Sequence, residues 1–74
     1  MSTHMHKPTR QETFYVDGTK VVLKARAKTY MRNHVGFRVW VTFGDHTYCY
    51  EHINALTAQD AMDKAYVKYV QAFK

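Results

Sequence analysis

Basic side chains recur at every second position in the middle of this 74-residue chain, a spacing that suits the binding of a polyanion. Between Gly18 and Gly44 there are six Lys or Arg residues and no Asp or Glu. Since successive side chains of a β-strand point to opposite faces, this period gathers cations on one face and apolar residues on the other. Lysine and arginine neutralise phosphates, and an aromatic ring can stack on a base. The pattern therefore indicates a surface for nucleic acid or another acidic partner.

The candidate binding residues lie on two predicted strands. A register that aligns Leu23 with Val41 places Lys24 opposite Trp40, so that cations flank an indole. The candidate nucleic-acid or partner-binding residues are Lys20, Lys24, Arg26, Lys28, Arg38, Trp40 and Thr42. The face is expected to extend to Thr47, Cys49 and Glu51. An alternative is an ordinary solvated face, on which lysines discourage edge pairing and both arginines share one glutamate.

Four strands and a helix must position these residues. The Asp17-Gly18 and Gly44-Asp45 pairs indicate two-residue hairpin turns, and residues 31–34 indicate a further connection. We therefore predict an α+β fold, an antiparallel β-meander of three to four strands with one C-terminal α-helix packed on one sheet face. The strands are predicted at about 12–16, 20–30, 35–43 and 46–53, and the helix at about 58–73.

Apolar alternation also predicts how the outer strands pair. The first turn sets Phe14 opposite Val21, which keeps apolar residues on a shared face. The third hairpin is expected to pair Phe37 with His52 on the core face. On the opposite face it pairs Arg38 with Glu51, a favourable combination of charges.

The C-terminal helix is expected to cover the apolar face of the sheet. Thr57-Ala-Gln-Asp60 resembles a capping box at its start, with Asp in the place usually taken by Glu or Gln. Apolar residues follow at helical spacing and form one stripe. The stripe comprises Ala58, Ala61, Met62, Ala65, Tyr66, Tyr69, Val70 and Phe73.

Bulk composition sets the domain organisation. We predict a flexible basic N-terminal arm over residues 1–11 and a single small domain over residues 12–74. The net charge of +5 favours nucleic acid or an acidic protein as partner. Cys49 is the only cysteine, which excludes an intrachain disulfide and indicates a reducing, cytoplasmic setting. No signal peptide, membrane-spanning run or membrane-binding face is predicted.

Catalytic and metal sites find little support, so we expect a non-enzymatic protein without a cofactor. The chain's one serine, Ser2, lies in the arm, and strand alternation is expected to separate Cys49 from His46 and His52. If Met1 were removed, residues 2–4 would present amine and imidazole nitrogens to copper or nickel. Three residues carry too little specificity to predict such a site.

The segment Gly36-Phe-Arg-Val-Trp40-Val is followed by a turn and then by Leu56-Thr-Ala-Gln-Asp-Ala61 at the helix start. This pattern, over about residues 20–70, resembles the arm-type DNA-binding domain of phage integrases and its plant AP2 relatives. The first strand and Tyr48-Cys-Tyr50 are not part of that pattern. The resemblance implies a three-stranded sheet in the major groove. It implies DNA contacts by Lys24, Arg26, Lys28, Arg38, Trp40 and Thr42.

Two functions follow as hypotheses. The first is a small protein that binds nucleic acid, DNA ahead of RNA, through the basic face. The alternative is a phage or mobile-element accessory protein that uses the same face to bind an acidic surface of a host protein and inhibit or modulate it. A tryptophan beside an arginine is also typical of protein–protein hot spots, so composition alone leaves both open, as it does the oligomeric state.

Overall fold

Four antiparallel strands and one helix make up the fold in a computed structural model, which describes residues 9–28 and 36–73. The elements are β1 (Thr9–Val16), β2 (Thr19–Lys28), β3 (Gly36–Phe43), β4 (His46–Asn54) and α1 (Ala58–Phe73). The strands are neighbours in the order β1-β2-β3-β4, as in a meander. The predicted α+β architecture is confirmed.

The predicted boundaries differ from the observed ones mainly at the first strand. β1 begins at Thr9, three residues before the predicted start, so the last residues assigned to the arm pair with β2 instead. Residues 1–8, the predicted connection at 31–34 and residues 29, 30 and 35 of the predicted strands lie outside the described residues. The helix spans 58–73, as expected.

Both hairpin turns use backbone conformations that glycine favours. Asp17 and Gly18 have φ angles of 51° and 81°, the combination that a type I′ turn requires. Gly44 has a φ of 67°, and Asp17 is the only non-glycine residue with positive φ in the described ranges, so the second turn has type II′ character. These two turns set the registers of β1 with β2 and of β3 with β4.

One face of the sheet packs against α1. Buried residues come from alternate positions of the two central strands, such as Val21 and Leu23 in β2 and Val39 and Val41 in β3. These strand residues pack against Ala61, Met62, Ala65 and Tyr69 of α1, which lie on the predicted stripe. The small alanines let the helix approach the sheet closely, while Met62 and Tyr69 fill the space between. Phe73 ends the stripe half exposed, with its ring 4.8 Å from that of Tyr69.

A β-bulge in β4 corrects the predicted pairing of the last hairpin. Val39 pairs with Tyr50 as expected, but Phe37 pairs with Ile53 and not with His52. Two residues of β4, Glu51 and His52, therefore lie opposite the single residue Arg38. The shift buries Ile53 and leaves His52 exposed, because an isoleucine gains more from burial than an imidazole.

The start of α1 is capped as the sequence indicates. The backbone N–H of Asp60 donates to Thr57 Oγ1 at 3.1 Å, and the N–H of Ala61 donates to the carbonyl of Thr57 at 3.0 Å. Asp60 lies in the first turn, near the positive end of the helix dipole.

Within the described ranges, no helix has the length and apolar character needed to cross a bilayer.

The two leucines of the chain allow a matched test of this core. Leu23→Ala should cost about 2–5 kcal/mol of unfolding free energy, because Leu23 is 2% exposed and its removal leaves a cavity. Leu56→Ala makes the same chemical change at a residue that is 83% exposed and should cost less than about 0.5 kcal/mol. Urea unfolding of both variants measures the difference. Equal losses would contradict the packing described here.

Candidate functional site

The side of the sheet away from α1, here called the open face, collects every predicted binding residue. Val21, Leu23 and Ala25 point into the core, so the alternate residues of β2 point outward. In β3 the core residues Val39 and Val41 impose the same alternation. The open face thus carries the whole predicted set, which is Lys20, Lys24, Arg26, Lys28, Arg38, Trp40 and Thr42.

The registers predicted for the two central strands are confirmed across this face. Lys24 pairs with Trp40 and Arg26 with Arg38. Trp40 pairs in turn with Cys49, and Thr42 with Thr47, whose hydroxyl oxygens lie 3.0 Å apart. The face is therefore a continuous surface that spans all four strands.

Charge is distributed unequally between the two sides of the molecule. The open face carries five cations, at 20, 24, 26, 28 and 38, and one carboxylate, that of Glu51. On the other side, α1 carries two aspartates and two lysines. Because its opposite charges balance, α1 adds no net charge, and the positive field is strongest over the open face.

Trp40 lies at the centre of these cations. The Nζ atom of Lys24 is 5.7 Å from the centroid of the Trp40 ring, and Cζ of Arg38 is 6.0 Å from it. Both distances fall in the range in which the negative face of an indole attracts a cation. The Trp40 ring is half-buried, and its contacts with the Lys24 and Arg38 side chains limit the positions of their charged groups.

Glu51 partly neutralises one edge of the open face. Its Oε1 accepts from Arg38 Nη2 at 2.9 Å, and its backbone carbonyl accepts from Lys28 Nζ at 2.8 Å. Lys28 lies opposite Gly36, which has no side chain to obstruct the reach of Lys28 towards β4. The ion pair between Arg38 and Glu51 is largely exposed, so its energy is small, but it fixes the position of the guanidinium. Nε of Arg38 is buried without a hydrogen-bond partner among the described residues.

Cys49 has a raised pKa, which lowers its thiolate fraction at neutral pH. Burial, followed by the nearby Glu51 carboxylate, raises the pKa of the Cys49 thiol, and Arg38 and Lys28 oppose this only in part. The bulge breaks the regular alternation on which the predicted separation of Cys49 from His52 rested, and His52 is exposed. That separation stays a prediction. His46 pairs with Phe43 and remains on the helix side, where its ring contacts Phe73.

Tyr15 belongs to the open face but was not among the predicted binding residues. It lies on β1 opposite Lys20, and 66% of its surface is exposed. Phe14 points to the core and meets Tyr66, so its neighbour must point outward. The signal was present in the sequence, since the Asp17-Gly18 turn pairs residue 15 with residue 20.

Comparisons with known proteins found no match for the chain. This holds for protein-family models, for curated proteins and for solved structures. The resemblance to arm-type domains stays a prediction. Over residues 9–28 and 36–73 no cluster of His, Cys, Asp or Glu could hold a metal ion, and the Ser2-Thr3-His4 segment lies outside these ranges.

The raised pKa of Cys49 predicts slow alkylation. The rate of reaction with iodoacetamide follows the thiolate fraction, so its midpoint should lie at higher pH than that of an unstructured cysteine peptide. Glu51→Gln removes the second cause of the shift, so its midpoint should lie below that of the parent protein. A parent midpoint at or below the peptide value would contradict this account.

Proposed function

We propose that this protein binds nucleic acid, DNA ahead of RNA, through its open face, without catalysing a reaction. The observation that carries the proposal is the excess of four positive charges on the open face, centred on Trp40, beside a helix of balanced charge. Cations of this density attract a phosphate backbone, since each neutralised phosphate releases condensed counterions. Lys20, Lys24, Arg26, Lys28, Arg38, Trp40 and Thr42 are the proposed contacts.

An acidic surface of a partner protein is the rival ligand. The contact between Trp40 and Arg38 favours it, because these two residue types are enriched in protein–protein hot spots. In this case the chain would act as a phage or mobile-element accessory protein that inhibits or modulates a host protein. The two ligands differ in how strongly binding depends on salt, because a phosphate polymer releases many counterions.

The salt dependence of DNA binding tests the proposal with a matched pair of variants. Lys24→Gln with Arg26→Gln removes two exposed cations from the open face, and Arg10→Gln with Lys68→Gln removes the same residue types elsewhere. Arg10 shares the alternation of the core-facing Phe14, and Lys68 lies on α1. Both double variants lower the net charge by the same amount.

The open-face variant should bind DNA more weakly and reduce the slope of log affinity against log salt by about 1.4 to 1.8, the loss of two phosphate contacts. The control variant should keep the slope. Fluorescence anisotropy of labelled duplex and single-stranded DNA measures both. Equal effects of the two variants, or no binding at ~50 mM salt, where phosphate contacts are strongest, would overturn the proposal. In the latter case, a protein partner that survives nuclease treatment would support the rival.

A further inference from the structure

The cations of the open face fall into two groups. Arg38 and Lys28 are held at the β4 side by the carboxylate and the backbone carbonyl of Glu51. Lys20, Lys24 and Arg26 form no ion pair or side-chain hydrogen bond with any described residue, and all three are exposed. The charges that remain available to a ligand therefore follow one strand, β2.

The spacing along β2 suits a single phosphate backbone. Alternate residues of a strand lie about 6.6 Å apart, which places Lys24 and Arg26 at that separation. This is close to the separation of successive phosphates along one strand of a nucleic acid. Lys20 lies four residues before Lys24, so it could reach a phosphate two positions along the same strand.

Two aromatic rings flank this row of cations, one on each side. Tyr15 on β1 is opposite Lys20, and Trp40 on β3 is opposite Lys24. Tyr15 makes no ring contact with the described residues, and its 66% exposure leaves the ring open to a base. Stacking of this kind needs an unpaired base, because the faces of a paired base are covered by its neighbours in the helix.

The width of the sheet argues against insertion into a duplex. Three intervals of about 4.8 Å separate β1 from β4, so the outer strands are about 14 Å apart before side chains are counted. The major groove is about 12 Å wide and admits a two-stranded ribbon. A duplex could touch this four-stranded face with its backbones, whereas an unpaired strand can lie flat upon it.

From these four observations we infer that the ligand of the open face is a single-stranded nucleic acid. Its phosphates lie along Lys20, Lys24 and Arg26, and one of its bases stacks on Tyr15. A second base stacks on Trp40 in place of the Lys24 side chain, which turns from the ring to a phosphate. This inference rests on the proposed function and narrows it to one form of the ligand. It also makes Tyr15 a binding residue.

The test compares a 15-nucleotide single-stranded oligothymidylate with a hairpin duplex of the same nucleotide count. Tyr15→Ala should weaken oligothymidylate binding by about 5- to 150-fold, the effect of losing one stacked base. Tyr15→Phe keeps the ring and should stay within about twofold of the parent protein. Since Trp40 is the only tryptophan, its fluorescence reports directly on the face, and stacking should quench it.

The outcomes separate this inference from the proposed function. Tighter binding of the single strand than of the duplex, with Trp40 quenching and loss in Tyr15→Ala, supports both. Equal or tighter duplex binding that Tyr15→Ala leaves unchanged overturns the single-strand inference and keeps the proposed function. Absence of binding to either DNA at ~50 mM salt overturns both. If Tyr15→Ala failed to fold, Trp40 quenching and the relative affinities of the parent protein would still decide.

Discussion

The packing of α1 against β2 and β3 is the contact on which the rest of the structure depends. Over residues 9–28 and 36–73 the fold has one helix, α1, and this helix covers one face of the sheet. Because side chains alternate along a strand, each apolar residue that packs against α1 has its two neighbours on the opposite, open face. The open face and its cations therefore follow from burial, since Leu23 and Ala25 in the core require Lys24 and Arg26 outside.

The bulge in β4 shows how the same constraint acts at the edge of the sheet. Tyr50 and Ile53 both pack towards the core, although an offset of three residues would place them on opposite faces of a regular strand. Regular alternation would bury His52 in place of Ile53, and the additional residue avoids this. The bulge also leaves Glu51 opposite Arg38, where its carboxylate binds the guanidinium.

Because of the ion pair between Arg38 and Glu51, the positive charge of the open face is partly neutralised on its β4 side. Glu51 draws Arg38 and Lys28 towards β4, while Lys20, Lys24 and Arg26 form no ion pair with a described residue. Trp40 lies at the boundary and contacts one cation of each group, Lys24 and Arg38. The side of the open face that is most available to a polyanion is thus the side that also carries Tyr15.

Local sequence patterns alone determined most of this fold. Period-two alternation identified β2 and β3, Asp17-Gly18 and Gly44-Asp45 located two turns, and Thr57 marked the start of α1, because each depends on residues close together in the chain. The same patterns placed the candidate cations and Trp40 on one face. Only the tertiary structure decided the bulge at Glu51 and His52, since it arises from competition for space under α1. It also decided which cations Glu51 holds, because side-chain contacts across three strands depend on geometry that a register does not specify.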